Sequence, residues 1–206
     1  YGHYDIERLI ATLGVTLDRE DSPQIAVEEG GMHAAEGLIL ARYMMFTQVY
    51  FHHTRRAFDH HTHGALQELL RQDRGTPTFP PPTDEKSVKE YLDWDDWRVL
   101  GLIHQRIAGR DGDAILKRQH DRRVYETLEV TTTEDIQKVT DVAQALGDMV
   151  SFVDRASKSW YKFEKADVPI LPIREQGGER IKSLFHLSSV VKGLQTVNQF
   201  RVYVPP

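Results

Sequence analysis

The strongest constraint on the fold of this 206-residue chain is a helical pattern that runs from Met32 to about Gln72, interrupted only by Gly37 and Gly64. Leu38, Ala41, Met45, Gln48 and His52 follow i, i+3, i+4 spacing, and so do Ile39, Tyr43, Phe46 and Tyr50. Apolar residues therefore fall on more than one face, which predicts a helix buried among others. Behind the apolar run, five of the ten histidines (His52, His53, His60, His61 and His63) crowd into twelve residues.

The remaining elements are shorter. Residues 4–13 read as a helix closed by Gly14. Val15–Leu17 and Gln24–Glu28 favour strands and are joined by a turn-forming stretch, which predicts a hairpin. The proline-rich run Arg74–Thr83 separates residues 1–73 from residues 84–206. Beyond it the spacing predicts helices over Glu85–Asp93, Asp95–Ala108, Ala114–Arg123, Glu134–Val150 and Ile181–Leu194, with a turn over Gly109–Asp113. Strands are predicted at Val124–Val130, Val168–Ile173 and Gln199–Val204. The fold class is mainly α with short β elements, an α+β arrangement.

Composition narrows the function classes. With no cysteine, thiol catalysis and cysteine-ligated zinc are excluded. The formal net charge of −5 supplies no global field for nucleic acid or anionic membranes. No apolar run reaches the roughly 18 residues of a membrane span, so the expected setting is cytoplasmic, with neither nucleic acid nor membrane as partner. Basic residues cluster locally, at Arg55-Arg56 and in Lys117–Arg123, and such a patch suits a phosphate-bearing small molecule.

The histidines invite a metal site, but their spacing opposes it. A helical metal pair needs two histidines at i and i+4, and none of the five is so spaced. On a helix His52, Arg56, Asp59 and His63 share one face, and Arg56 places a positive charge in it. The cluster is therefore expected to be a solvated helix end, with no metal ligand assigned. No G-x-S-x-G, Walker or G-x-G-x-x-G motif occurs, so no catalytic residue is assigned either. Tyr50, His52 and Arg56, within two helical turns, offer a stacking ring, an imidazole and a guanidinium fork suited to phosphate. A helix-packing role for the same residues is the alternative.

The opening YGHYDIERLI, followed by GMHAAEGLILARYMMFTQVYFHHTRRAF, resembles a part of the HD-domain phosphohydrolases, most similarly their deoxynucleoside triphosphate triphosphohydrolase branch. The resemblance rests on Asp5 and Arg8 and then on Arg42, Tyr43, Met45, Val49, Tyr50, Phe51 and His52, and it covers roughly residues 1–70. It implies that residues 1–73 are the C-terminal part of an HD-type catalytic core and residues 84–206 a helix-rich C-terminal region. It further implies a divalent metal in the full-length enzyme, held by a His…His-Asp…Asp series that cannot be assigned in this chain. His120-Asp121 lies too late in the sequence to serve as the doublet.

The expectation is thus a C-terminal segment, inactive alone, of a metal-dependent phosphohydrolase acting on (deoxy)nucleoside triphosphates. By resemblance Tyr50, His52 and Arg56 face a nucleotide substrate, and Asp5 and Arg8 lie near a nucleotide effector in a homo-oligomer. Two alternatives stand beside it. One is a non-catalytic helical module that binds a nucleotide or a protein; the other is a self-contained metal enzyme built on the histidine cluster.

Overall fold

The computed structural model describes residues 2–18, 20–158, 167–172 and 181–206. The chain opens with α1 (Ile6–Ala11), the strands β1 (Leu13–Leu17) and β2 (Pro23–Glu28), and the helices α2 (Met32–Met45) and α3 (His53–Arg74). Next come α4 (Glu85–Leu92), α5 (Asp96–His104), α6 (Gly109–Lys117), β3 (Arg122–Glu126) and α7 (Thr133–Leu146). The last described elements are β4 (Phe152–Lys158), β5 (Pro169–Leu171), β6 (Lys182–Ser183), α8 (Leu184–Leu187), α9 (Ser189–Gly193) and β7 (Val197–Val204). The mainly helical α+β class is as expected. The chain forms two compact units, each assembled from separated stretches of sequence.

The first unit comprises residues 1–51, 127–133 and 155–199. Its sheet has the order β1-β2-β5-β6, with β1 and β2 antiparallel and β2 and β5 parallel. Asp5 caps α1 by accepting the Arg8 backbone N–H at 2.9 Å. Gly31, just before α2, has no room for a side chain, because a Cβ there would sit 1.9 Å from Thr12 Oγ1. That close approach lets α2 start on top of the end of α1. Leu9, Val27, Ala34, Ala35, Ile170, Leu184 and Val191 form the core between helices and sheet. Tyr43 donates its hydroxyl to Glu129 at 2.5 Å, and this bond to a carboxylate, with burial, pushes the phenol up to about 12.

The long helix predicted from Met32 does not run through. After Met45 it widens into a π turn, Phe46–Tyr50, closed by the Phe51 N–H on the Phe46 carbonyl at 2.8 Å, and His52 is extended. Tertiary packing explains the break. Phe51 is buried with Ala156 and Val197, and the extra residue in the turn carries its ring there, edge to face with Phe46. A hydrophobic period cannot distinguish a π turn from α-helix over five residues.

The second unit comprises residues 52–126, 134–154 and 200–206. Ala57 and Ala65 of α3 are fully buried, and α6 lies against this helix, with Ala65, Leu69, Ile103 and Ala108 forming a core. Gly75 ends α3 in the left-handed region (φ 77°), its N–H bonding the Arg71 carbonyl. Asp84 and Ser87 form a reciprocal capping box on α4, and Asp95 caps α5. β3 runs antiparallel to the end of β7, pairing Arg122 with Val204 and Glu126 with Arg201, in a sheet ordered β3-β7-β4.

Several boundaries differ from the sequence expectation. The turn expected at Gly109–Asp113 is the start of α6, because Gly109 takes the positive φ and the helix begins there. Thr12 rather than Gly14 caps α1, and Gly14 lies inside β1. The strand at Phe152–Lys158 was not anticipated, and the expected helix Ile181–Leu194 is two short helices, each capped by a serine. Ile173, at the end of an expected strand, lies outside the described residues.

Candidate functional site

The site grows from a buried histidine on α3. His61 is 1% exposed, and its Nε2 accepts the backbone N–H of Asp121 at 3.1 Å. That acceptor role leaves the proton on Nδ1, which donates to Asp111 Oδ1 at 2.8 Å. These two bonds fix the orientation of the ring and the roles of its nitrogens. Asp111 reaches it only because residue 64 is glycine: a Cβ there would lie 2.0 Å from Asp111 Oδ2. The expected solvated helix end is thus corrected at His61, which is a strut between α3, α6 and the segment after α6.

That strut sets the position of the basic run. Arg118 closes α6 in the left-handed region (φ 54°), turning the chain back so that Gln119, His120, Arg122 and Arg123 follow on one side. Asp121 points inward and is buried, bonded to Arg110 at 2.5 Å, while His120 Nδ1 donates to the Asp121 carbonyl. Arg118, His120, Arg122 and Arg123 then line a groove of about 640 Å³ together with His53 and Thr54 from the first turn of α3. Among the described residues, Gln119 and Pro206 complete the lining, and none of the lining side chains is acidic.

Two features give the groove a positive potential. Arg118 and Arg122 are exposed within it, and Arg123, which also bonds Glu126, stands beside them. The N-terminus of the 22-residue α3 opens there with no acidic residue in its first turn and no side-chain cap. Burial lowers the His53 pKa, and the Arg123 and His52 charges lower it further, so the imidazole is kept neutral at neutral pH. The arrangement suits a multiply charged oxyanion, met by guanidinium forks and helix N–H groups.

The residues singled out from the sequence fall in different places. His52 is the last residue before α3, exposed, with its ring 4.3 Å from that of His53. Arg56, one turn on, directs its guanidinium to Asp154, with Nε 3.0 and 3.1 Å from the two carboxylate oxygens. Asp154 is also 3.5 Å from Arg201, which in turn bonds Glu126, so Arg56 belongs to a chain of alternating charges. Tyr50 belongs to the first unit, where with Tyr4, Leu38, Arg42, Met45 and Phe46 it lines an apolar pocket of about 580 Å³. Asp5 and Arg8 are brought together in the α1 cap, and Arg8 Nε also donates to the Gly30 carbonyl at 3.0 Å.

The basic run is legible in the sequence, but its meeting with His53 and Thr54 is not. The signal was Gly64, three residues after His61 on a helix, a spacing that opens room for a group from a neighbouring helix. Among the described residues, no three or more His, Cys, Asp or Glu side chains converge as a metal-holding group. No helix of the described residues is long and apolar enough to cross a membrane.

Comparison with known proteins adds to this geometry. Residues 4–156 match the model of the family described as HD associated region. The chain is 30% identical, over 219 aligned residues, to the uncharacterized protein YwfO of Bacillus subtilis (strain 168), covering 94% of this chain and 48% of that protein. The crystal structure of a hypothetical protein from Aquifex aeolicus is similar to the whole chain, with a TM-score of 0.74 and 27% identity, and 49% of that protein is covered. A phosphohydrolase from Bacteroides thetaiotaomicron has the same fold over the whole chain, with a TM-score of 0.65, 18% identity and 57% of its length covered. The chain therefore spans about half the length of the relatives it matches.

Proposed function

We propose a function from one premise: this chain belongs to the HD-associated region family. In this reading it is the part of an HD-family phosphohydrolase that receives the phosphates of a (deoxy)nucleoside triphosphate. The arginine-lined groove at the start of α3 carries the proposal, because its guanidinium groups and helix N–H donors match a polyphosphate in charge and hydrogen-bonding capacity. The phosphohydrolase from Bacteroides supports the reaction class, and the resemblance of residues 1–70 to deoxynucleoside triphosphate triphosphohydrolases supports the substrate class.

A divalent metal does not fit the described residues of this chain. The groove presents cations, and no metal-holding cluster of three or more donors forms among the described side chains. In this reading the metal ligands belong to another part of the whole protein. His52 supports the mouth of the groove by packing its tilted ring against His53, Arg56 anchors α3 through Asp154, and Tyr50 offers an aromatic wall within its own unit. Asp5 and Arg8 hold the α1 cap, next to which an effector nucleotide is proposed to bind.

Calorimetric titration of the chain with a deoxynucleoside triphosphate and with inorganic triphosphate tests the proposal. Both are expected to bind, and Arg118→Glu with Arg122→Glu is expected to weaken both by at least about tenfold. That is the loss of one or more charge-assisted bonds of about 1.5–3 kcal/mol each. Unchanged affinity in the double variant sinks the groove as the phosphate site. Binding without any triphosphate hydrolysis by the whole protein would instead favour a non-catalytic nucleotide-binding module.

A further inference from the structure

The hairpin of the first unit carries an interaction surface that phosphate binding does not use. β1 stands at one end of the sheet order β1-β2-β5-β6. Its sequence, Leu-Gly-Val-Thr-Leu, holds no charge and no proline, the usual means by which an edge strand is protected. Leu13, Val15 and Leu17 point to the exposed face, and Val15 (71% exposed) lies opposite Ile25 (69%) across the hairpin. Gly14 and Thr16 face the other way, and a Cβ on Gly14 would lie 2.8 Å from Leu171 Cδ1.

The ladder fixes which backbone groups are at the edge. The Asp18 N–H bonds the Ser22 carbonyl, and the Glu28 N–H bonds the Thr12 carbonyl. Hydrogen-bonded pairs alternate along an antiparallel ladder, so residues 12, 14, 16 and 18 turn their N–H and C=O groups to β2. Leu13, Val15 and Leu17 turn theirs away from β2, toward the edge that no other described strand covers. Pro23, which has no N–H, sits opposite Leu17 at a position where none is needed.

We propose that β1 is a self-association edge, at which a second copy of this chain adds its own β1 antiparallel about a two-fold axis through Val15. The strand has the required symmetry, since Leu13 and Leu17 are equivalent about Val15. Reciprocal hydrogen bonds then join Val15 to Val15 of the second copy and Leu13 to Leu17 of the second copy, with like apolar side chains side by side on one face. Charge selects the antiparallel direction. The acidic turn bearing Asp18, Glu20 and Asp21 lies at one end of β1. Antiparallel pairing places the two acidic turns at opposite ends of a strand roughly 17 Å long, at about 3.4 Å per residue, whereas parallel pairing sets them side by side.

Sedimentation and amide exchange test the inference on the 206-residue chain. A concentration-dependent dimer is expected, with the Leu13, Val15 and Leu17 amides gaining protection as it forms while the Gly14 and Thr16 amides stay protected throughout. Val15→Pro removes only an outward N–H, so it is expected to raise the dimer dissociation constant by at least about tenfold with the hairpin intact. Val15→Lys, which sets two ammonium groups against each other at the axis, gives the same weakening if the proline variant fails to fold. A chain that stays monomeric up to about 1 mM overturns the proposal. So does a dimer whose Leu13, Val15 and Leu17 amides exchange freely, or one that both variants leave unchanged. Protection of those three amides in a monomer also overturns it, because the edge is then covered by the chain itself.

Discussion

At the scale of single residues, the groove depends on side chains that never touch it. His61 bonds the backbone of the basic run through one ring nitrogen and Asp111 through the other, and the second bond requires the space left by Gly64. Helix propensity favours alanine over glycine by roughly 1 kcal/mol, so Gly64→Ala would stabilise an isolated α3. In the folded chain the new Cβ meets the Asp111 carboxylate, which cannot swing aside without releasing His61. The variant is therefore expected to lose about 1–3 kcal/mol by urea denaturation, and to lose triphosphate affinity as the Arg118–Arg123 segment loosens. A Gly64→Ala chain as stable as the original would remove the strut from this account.

At the scale of elements, the start of α3 and the end of α6 act together, and pH exposes the coupling. Burial and the nearby Arg123 charge lower the His53 pKa below its ordinary 6.5. A folded-state pKa below the unfolded value means the unfolded chain holds more protons as pH falls through this window. His53 therefore contributes stability that is fully present above about 6.5 and is lost as pH falls through its lowered pKa. A bound polyphosphate reverses the local sign, because its negative charge favours the imidazolium. Triphosphate affinity is expected to rise as pH falls through the histidine range in the original chain and to rise less in His53→Gln, which separates the imidazole from protonation of the phosphate itself. Equal pH profiles for the two chains would take His53 out of the groove. The same elements show what the sequence made legible. The hairpin, α4, α5 and β7 carried local signals in the form of turn residues, Asp84 and Asp95 caps, and β-branched runs. The break at Phe46–Phe51 and the joining of His53 to Arg118, Arg122 and Arg123 did not, because each depends on contacts between residues far apart in sequence.

At the scale of the whole molecule, the net charge of −5 and the positive groove act in opposite directions on an approaching anion. Beyond about 10 Å at 0.1 M salt the overall field is screened, so binding is decided by the near field of the groove and the donors that contact the ligand. A compact triphosphate can place its whole charge inside a groove of about 640 Å³. Duplex DNA cannot, since its charge is spread along a rod with one phosphate per roughly 1.7 Å of axis, and most of it would face the acidic remainder of the surface. The chain is therefore expected to bind inorganic triphosphate and nucleoside triphosphates, and to show no comparable affinity for a labelled duplex in fluorescence anisotropy at the same ionic strength. Raising the salt should weaken triphosphate binding modestly, because only a few charges meet in the groove and their hydrogen bonds persist. Duplex binding as tight as triphosphate binding, with a steep salt dependence, would mean that the arginines track a nucleic-acid backbone and would overturn the triphosphate reading of the site.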